Sequence, residues 1–177
     1  MADFHKALDV VLKNEGGYVN DPQDPGGETY KGVARNRNPS WPGWVQVDIL
    51  KNARGFPENL AGDHELQRAV KRIYEINYWH KVRGDEIEVQ ETALSIFDFG
   101  VNCGPVASSK LAQMSAGAKV DGVIGKKTIA KINGMDTELF LSRFALFKLA
   151  RYVNICEKRP ASRKFFYGWC RRTLEGI

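Results

Sequence analysis

The sequence predicts an all-α fold, and three observations predict it. Apolar residues return at helical spacing in one segment after another. Several of those segments open on residue types that start helices. Glycine or proline punctuates where they stop. In the first segment Phe4, Ala7, Leu8, Val11 and Leu12 form one stripe, with Asp3 as its N-cap. The stripe continues to Glu15, on the face of Phe4, Leu8 and Val11, and Gly16-Gly17 stops the helix. Asp21-Pro22 and Asp24-Pro25-Gly26-Gly27 read as consecutive tight turns, with proline fixing the turn entries. Segment 34–62 is less regular and holds one short helix near Trp44 to Lys51.

Asp63 caps the next helix, whose apolar positions include Leu66, Ala69, Val70, Ile73 and Ile76 and which runs to about His80. Residues 83–90 are polar, contain Gly84 and are the weakest place in the chain for a boundary. A further helix runs from near Gln90 through Ala93, Leu94 and Phe97, and Pro105 opens another with Val106, Leu111 and Met114. Asp121-Gly122 and Gly125 make turns before a short helix near Lys126. Asp136 opens a long helix through Leu139, Phe140, Arg143, Phe147 and Tyr152. A last helix starts near Pro160 and carries Phe165, Phe166 and Trp169. Most of these aromatics read as core. No internal repeat or low-complexity segment is present.

The chemistry concentrates between Glu15 and Gly32, where four carboxylates and five glycines share eighteen residues. At a helix C-terminus and near a buried face, Glu15 is placed to hold its proton: desolvation and the negative end of the helix dipole both raise a carboxyl pKa. A carboxylic acid protonated near neutral pH is what a general acid requires. The stiff turns would hold Asp21 or Asp24 near the end of the helix as base, nucleophile or cation stabiliser. Two carboxyl groups across a sugar linkage are the usual equipment of glycoside hydrolysis. Thr29 and Tyr30 add hydroxyls suited to a water or a sugar. The competing reading of Asp21 and Asp24 is turn capping through their own side chains.

Glu-Gly-Gly-Tyr-Val-Asn-Asp-Pro at 15–22, followed by Asp-Pro-Gly-Gly-Glu-Thr at 24–29 and Gly32, resembles the signature of glycoside hydrolase family 108, the phage and prophage N-acetylmuramidases. The resemblance implies a lysozyme-like helical catalytic region over about 1–90 and a packed C-terminal helical module over 91–177. It implies Glu15 as the catalytic acid, with Asp24 and Thr29 in the second and third places of a Glu–Asp–Thr order. The spacing from Asp24 to Thr29 is a residue shorter than in phage-type lysozymes, which leaves Asp21 and Asp24 as alternatives for the second carboxylate. Val120-Asp121-Gly122-Val123-Ile124-Gly125-Lys126-Lys127-Thr128 resembles the turn of peptidoglycan-binding helical modules, against a plain helix–turn–helix connection. Asp98 and Asn102 match an Asp-x-x-x-Asn stretch of the family and share a helix face. They are candidates for binding sugar hydroxyls or an acetamido group, against capping and packing. Tyr74, Asn77, Tyr78 and Trp79 offer a stacking surface for a sugar ring, against core packing.

Length and composition suit an independent domain or two small lobes: 177 residues, ordinary apolar content and no run approaching the roughly 18 apolar residues of a membrane span. The opening residues show no signal-peptide pattern. A wall-degrading chain made in the cytoplasm needs an exit, a holin or a dedicated export route, before it acts on the wall. Peptidoglycan is the expected partner, no cofactor or metal is required, and a monomer is expected. Cys103, Cys156 and Cys170 read as reduced thiols, and His5, His64 and His80 match no metal spacing. Residues 148–177 carry eight Lys or Arg against two Glu, a cationic end suited to anionic wall polymers and muropeptide carboxylates or to plain solvation. A nucleic-acid reading of the same charge leaves the acidic run unexplained. A phosphate loop is rejected, since Val120 and Lys127 stand where it needs Gly and Ser or Thr. The rival activities are a lytic transglycosylase, with Glu15 alone as acid then base, and a non-catalytic wall-binding or secretion-assisting module.

Overall fold

The computed structural model describes residues 1–22 and 24–174, with the side chain of Asn14 left out. Eight α-helices and a small sheet make up the described residues: α1 (Phe4–Asn14), β1 (Tyr18–Val19), β2 (Thr29–Tyr30), β3 (Val33–Ala34), α2 (Gly43–Lys51), α3 (His64–Tyr74), α4 (Gln90–Cys103), α5 (Pro105–Ser115), α6 (Lys126–Asn133), α7 (Thr137–Lys158) and α8 (Phe166–Leu174). The fold is mainly α, as the periodicity predicts. No helix among them is long and apolar enough to cross a membrane. The coordinates divide into two compact units, Leu8–Asn77 and Met1–Ala7 with Tyr78–Ile177.

Helix starts follow local capping chemistry. Asp3 Oδ1 accepts the backbone N–H groups of His5 and Lys6, Asp63 Oδ1 that of Leu66 at 2.7 Å, and Asp136 Oδ1 that of Leu139 at 2.9 Å. Each such cap satisfies amides the helix itself cannot, worth about 1 kcal/mol. Pro105 occupies the first turn of α5. Two expected helices are less regular than their stripes suggest. α3 ends at Tyr74 and continues through a π-helical turn (Glu75–Trp79) and a 3₁₀ turn (His80–Val82). The last helix begins as a 3₁₀ turn (Pro160–Phe165) before α8.

In the unit Leu8–Asn77 the three strands form one antiparallel sheet in the order β1-β2-β3, with Tyr18 opposite Tyr30 and Tyr30 opposite Val33. Strands of two residues carry no usable alternation, which is why the sequence reads here only as turns. Those turns are present: Asp24 N–H donates to Asp21 O at 3.0 Å and Gly27 N–H to Asp24 O at 2.9 Å. Trp41 and Trp44 meet edge to face, and Trp41 Nε1 donates to Ala69 O, which ties the entry of α2 to α3.

In the other unit α4, α5 and α7 surround an aromatic core. Phe99 meets Phe144 edge to face, and Phe140 stacks on Phe144. Trp79, fully buried, packs edge to face on Phe97 and against Phe4. Gly84 lies flat on that indole, where any Cβ would come within 2.4 Å of the ring. Residues 83–90 are therefore fastened within this unit. Arg83 pairs with Glu86, and Asn133 holds both Glu86 O and Glu88 N–H.

Candidate active site

The stripe of α1 is buried at Ala7, Leu8 and Val11 and nearly so at Phe4. The helix closes at Asn14, and Glu15 follows it in a bend, half-buried. The chain returns to this point through the hairpin of β2 and β3. Its two turn residues, Lys31 and Gly32, have φ of 43° and 74°, the left-handed pair that a two-residue hairpin turn requires. Lys31 N–H donates to Gly17 O at 3.1 Å, fastening the turn to the segment that ends α1. A Cβ at position 32 would lie 2.7 Å from Glu15 Oε2 and 2.6 Å from the Tyr74 hydroxyl oxygen. The carboxyl group and the phenol thus converge on the bare Cα of Gly32. Glycine is needed there for its conformation and for the space.

Tyr74 is 2% exposed and donates from its hydroxyl to Lys31 O at 2.9 Å. It fixes the turn from the α3 side, at the residue where α3 gives way to the π-helical turn, a break that often accompanies functional sites. Lys31 extends to Gln67 Oε1 at 2.6 Å, and Gln67 Nε2 donates to the Tyr30 hydroxyl at 2.9 Å and to Leu60 O. Burial lowers the Lys31 pKa and raises that of Tyr30.

Glu28, assigned no role from the sequence, anchors the hairpin. It is 9% exposed, accepts from Tyr18 Oη at 2.8 Å and forms ion pairs with Arg35 Nε at 2.7 Å and Lys51 Nζ at 2.5 Å. Arg35 also forks onto Asp48 and lies 4.4 Å from the Trp44 ring centroid. Burial, then the hydrogen bond to Glu28, pushes the Tyr18 phenol up to about 12. The Asp48 hydrogen bond raises the Arg35 pKa, and Arg35 lowers that of Asp48. The sequence signal for Glu28 was its place in the acidic run. Its cations come from the residue after β3 and from α2, beyond local pattern.

The other expected residues divide. Asp21 and Asp24 are exposed in the loop between β1 and β2. Asp24 Oδ1 accepts the Gly26 N–H at 2.7 Å, the Asx arrangement weighed against a catalytic role. Thr29 is half-buried on β2 and donates to Gly27 O at 3.0 Å. Tyr30 is 3% exposed, its hydroxyl directed to Gln67. Asp98 and Asn102 do share a face of α4, where Asn102 Nδ2 donates to Asp98 O and the Asp98 carboxylate takes the Arg172 fork at 2.6 and 3.3 Å. Trp79 is core. The 120–128 motif is organised by Gln113, 1% exposed, whose amide meets Asp121 Oδ1, Val123 O and the N–H groups of Asp121 and Gly122. All three cysteines are free thiols. Among the described residues no three His, Cys, Asp or Glu side chains converge as a metal site.

Glu15 is thus a half-buried carboxyl group just after α1, beside the Gly32 backbone and the Tyr74 phenol. Residues 107–174 match a family described as Predicted Peptidoglycan domain. The structure of SagA from Brucella abortus is 28% identical, superposes with a TM-score of 0.70, and is covered over 90% of its length by 98% of this chain. No curated protein matches. Residues 8–104, more than half of the chain and the segment that holds Glu15, Gly32 and Tyr74, match the model described as Glycosyl hydrolase 108, so the chain belongs to the glycosyl hydrolase 108 family.

Proposed function

We propose that this chain is an N-acetylmuramidase that cleaves the β-1,4 bond between N-acetylmuramic acid and N-acetylglucosamine in peptidoglycan, with Glu15 as the general acid. One observation carries the assignment: the Glu15 carboxyl group is set against Gly32 and the Tyr74 hydroxyl rather than directed into bulk solvent. Family membership and the C-terminal peptidoglycan domain support peptidoglycan as the polymer attacked.

In this reading Glu15 protonates the departing glycosidic oxygen as the sugar acquires oxocarbenium character. Asp24 or Asp21 stabilises or traps that sugar, or activates the water that meets it. Thr29, on the strand that leads to Gly32, positions that water. Tyr74 acts on the geometry of Glu15 through the Lys31-Gly32 turn. The Asp24 side-chain bond to Gly26 favours a second reading, a lytic transglycosylase in which Glu15 serves as acid and then base. Mass spectrometry of digested wall separates the two. Reducing muramic acid ends are expected, and anhydro-muramyl ends would replace hydrolysis with the transglycosylase reaction.

A further inference from the structure

Residues 158–174 contain six Lys or Arg and no Asp or Glu. They end α7, pass through the 3₁₀ turn (Pro160–Phe165) and form α8, all within one unit. One side of this segment is fastened inward. Trp169 is half-buried and stacks on Tyr152 of α7, with ring centroids 5.1 Å apart. Thr173 is buried and donates to Trp169 O at 3.0 Å. Arg172 also turns inward, to Asp98.

The other side is open and mixes two chemistries. Lys158, Arg159, Arg163 and Lys164 are exposed. Among them stand Phe165 at 52%, Tyr167 at 79% and Leu174 at 63% exposure. Tyr167 and Leu174 lie seven residues apart in α8, about two turns, and share its outer face. Lys164 Nζ lies 4.9 Å from the Phe165 ring centroid, so ring and ammonium are presented together. Cations alone attract any polyanion. The large apolar side chains beside them ask for more, because a hydrated polyanion gives them nothing to be buried in. A bilayer surface with anionic lipid offers both partners, phosphates at the headgroup level and apolar depth below it. Tyr and Phe suit that level, and the long stems of Lys and Arg can sink while their charges stay with the phosphates. With nine residues, α8 is far shorter than the roughly 20 that a span requires, so the contact is peripheral.

We propose that this face, with Lys158, Arg159, Arg163 and Lys164 as its charges and Tyr167 and Leu174 among its apolar side chains, binds the surface of a bilayer that contains anionic lipid. The proposal adds a second surface to a chain whose proposed substrate is the wall, and it requires nothing of Glu15.

The test is sedimentation of the full chain with vesicles of equal parts phosphatidylglycerol and phosphatidylcholine, with vesicles of phosphatidylcholine alone, and with soluble polyphosphate as competitor, at about 0.15 M salt. The anionic vesicles are expected to bind at least about tenfold tighter than the zwitterionic ones. Two variants separate the two chemistries, and both change only exposed side chains, so the circular dichroism of the wild type should be kept. Arg163→Glu with Lys164→Glu should weaken binding to anionic vesicles about tenfold or more. Tyr167→Ser with Leu174→Ser should weaken it about fivefold or more. No binding to anionic vesicles, equal binding to both vesicle types, or either folded variant binding like the wild type would each overturn the proposal. Polyphosphate bound as tightly as the anionic vesicles would overturn it too, and would give the face to a polyanion such as an anionic wall polymer. Sedimentation has no catalytic readout, so its failure leaves the Glu15 chemistry standing; failure of that chemistry shows in the wall-digest products.

Discussion

Glu15 and Glu28 come from one eighteen-residue run, and the fold treats their carboxylates differently. Glu28 is buried and receives a phenol, a guanidinium and an ammonium within hydrogen-bond range. One phenol and two cations around one carboxylate tie β1, the residue after β3 and α2 together. Glu15 is half-buried, and its carboxyl group and the Tyr74 hydroxyl both lie close to Gly32. Counting acids in a motif therefore says little about which one reacts. In the proposed function the ion-paired Glu28 is the structural acid, and Glu15, half-buried beside Gly32 and Tyr74, is the reactive one.

Among changes that leave both carboxylates in place, Gly32→Val should have the largest effect. The new side chain meets Glu15 and Tyr74 at a φ that β-branched residues avoid, with an expected loss of roughly 100-fold in wall lysis, the scale for a misplacement of about 1 Å. Turbidity clearing of purified walls measures it. Glu28→Gln comes next, and it acts on stability. Arg35 and Lys51 lose their buried counter-charge, and because both are about one-third exposed the cost is discounted to about 2 kcal/mol. Chemical denaturation should show it, with activity per folded molecule changed far less than by Gly32→Val.

Tyr74→Phe removes one hydrogen bond to Lys31 O, about 1 kcal/mol, and should lower lysis several-fold. A loss as large as that from Gly32→Val would move the phenol from positioning into chemistry. The smallest effect is alkaline. The Tyr18 phenol is raised from 10.0 to about 12, so the stability it contributes is fully present below pH 10 and is lost as pH climbs through about 12. Circular dichroism across that window should show a flatter decline for Tyr18→Phe than for the wild type.

Caps and turns were legible because their causes lie within four residues. Asp3, Asp63 and Asp136 each satisfy amides of the next turn, and the Asp21–Gly27 bends close on their own carbonyls. The sheet was not, because two-residue strands have no period. The π-helical turn after Tyr74 left no mark in the apolar stripe, which continues to Ile76. At the site, Glu15 was visible as the end of a stripe before Gly-Gly. Tyr74 reaches it from a helix more than forty residues away, and Glu28 meets Lys51 from α2. Such contacts are tertiary, and the local pattern that suggested Asp24 could not separate an acid facing substrate from one bonded to its own turn.

The most direct measurement compares wall lysis by equal folded amounts of wild type, Glu15→Gln and Glu28→Gln, with folding checked by circular dichroism. Loss of a general acid costs about 100- to 10,000-fold, so Glu15→Gln should be nearly inactive with its fold intact, while Glu28→Gln keeps most activity per folded molecule. Lysis by folded Glu15→Gln at the wild-type rate would contradict the account.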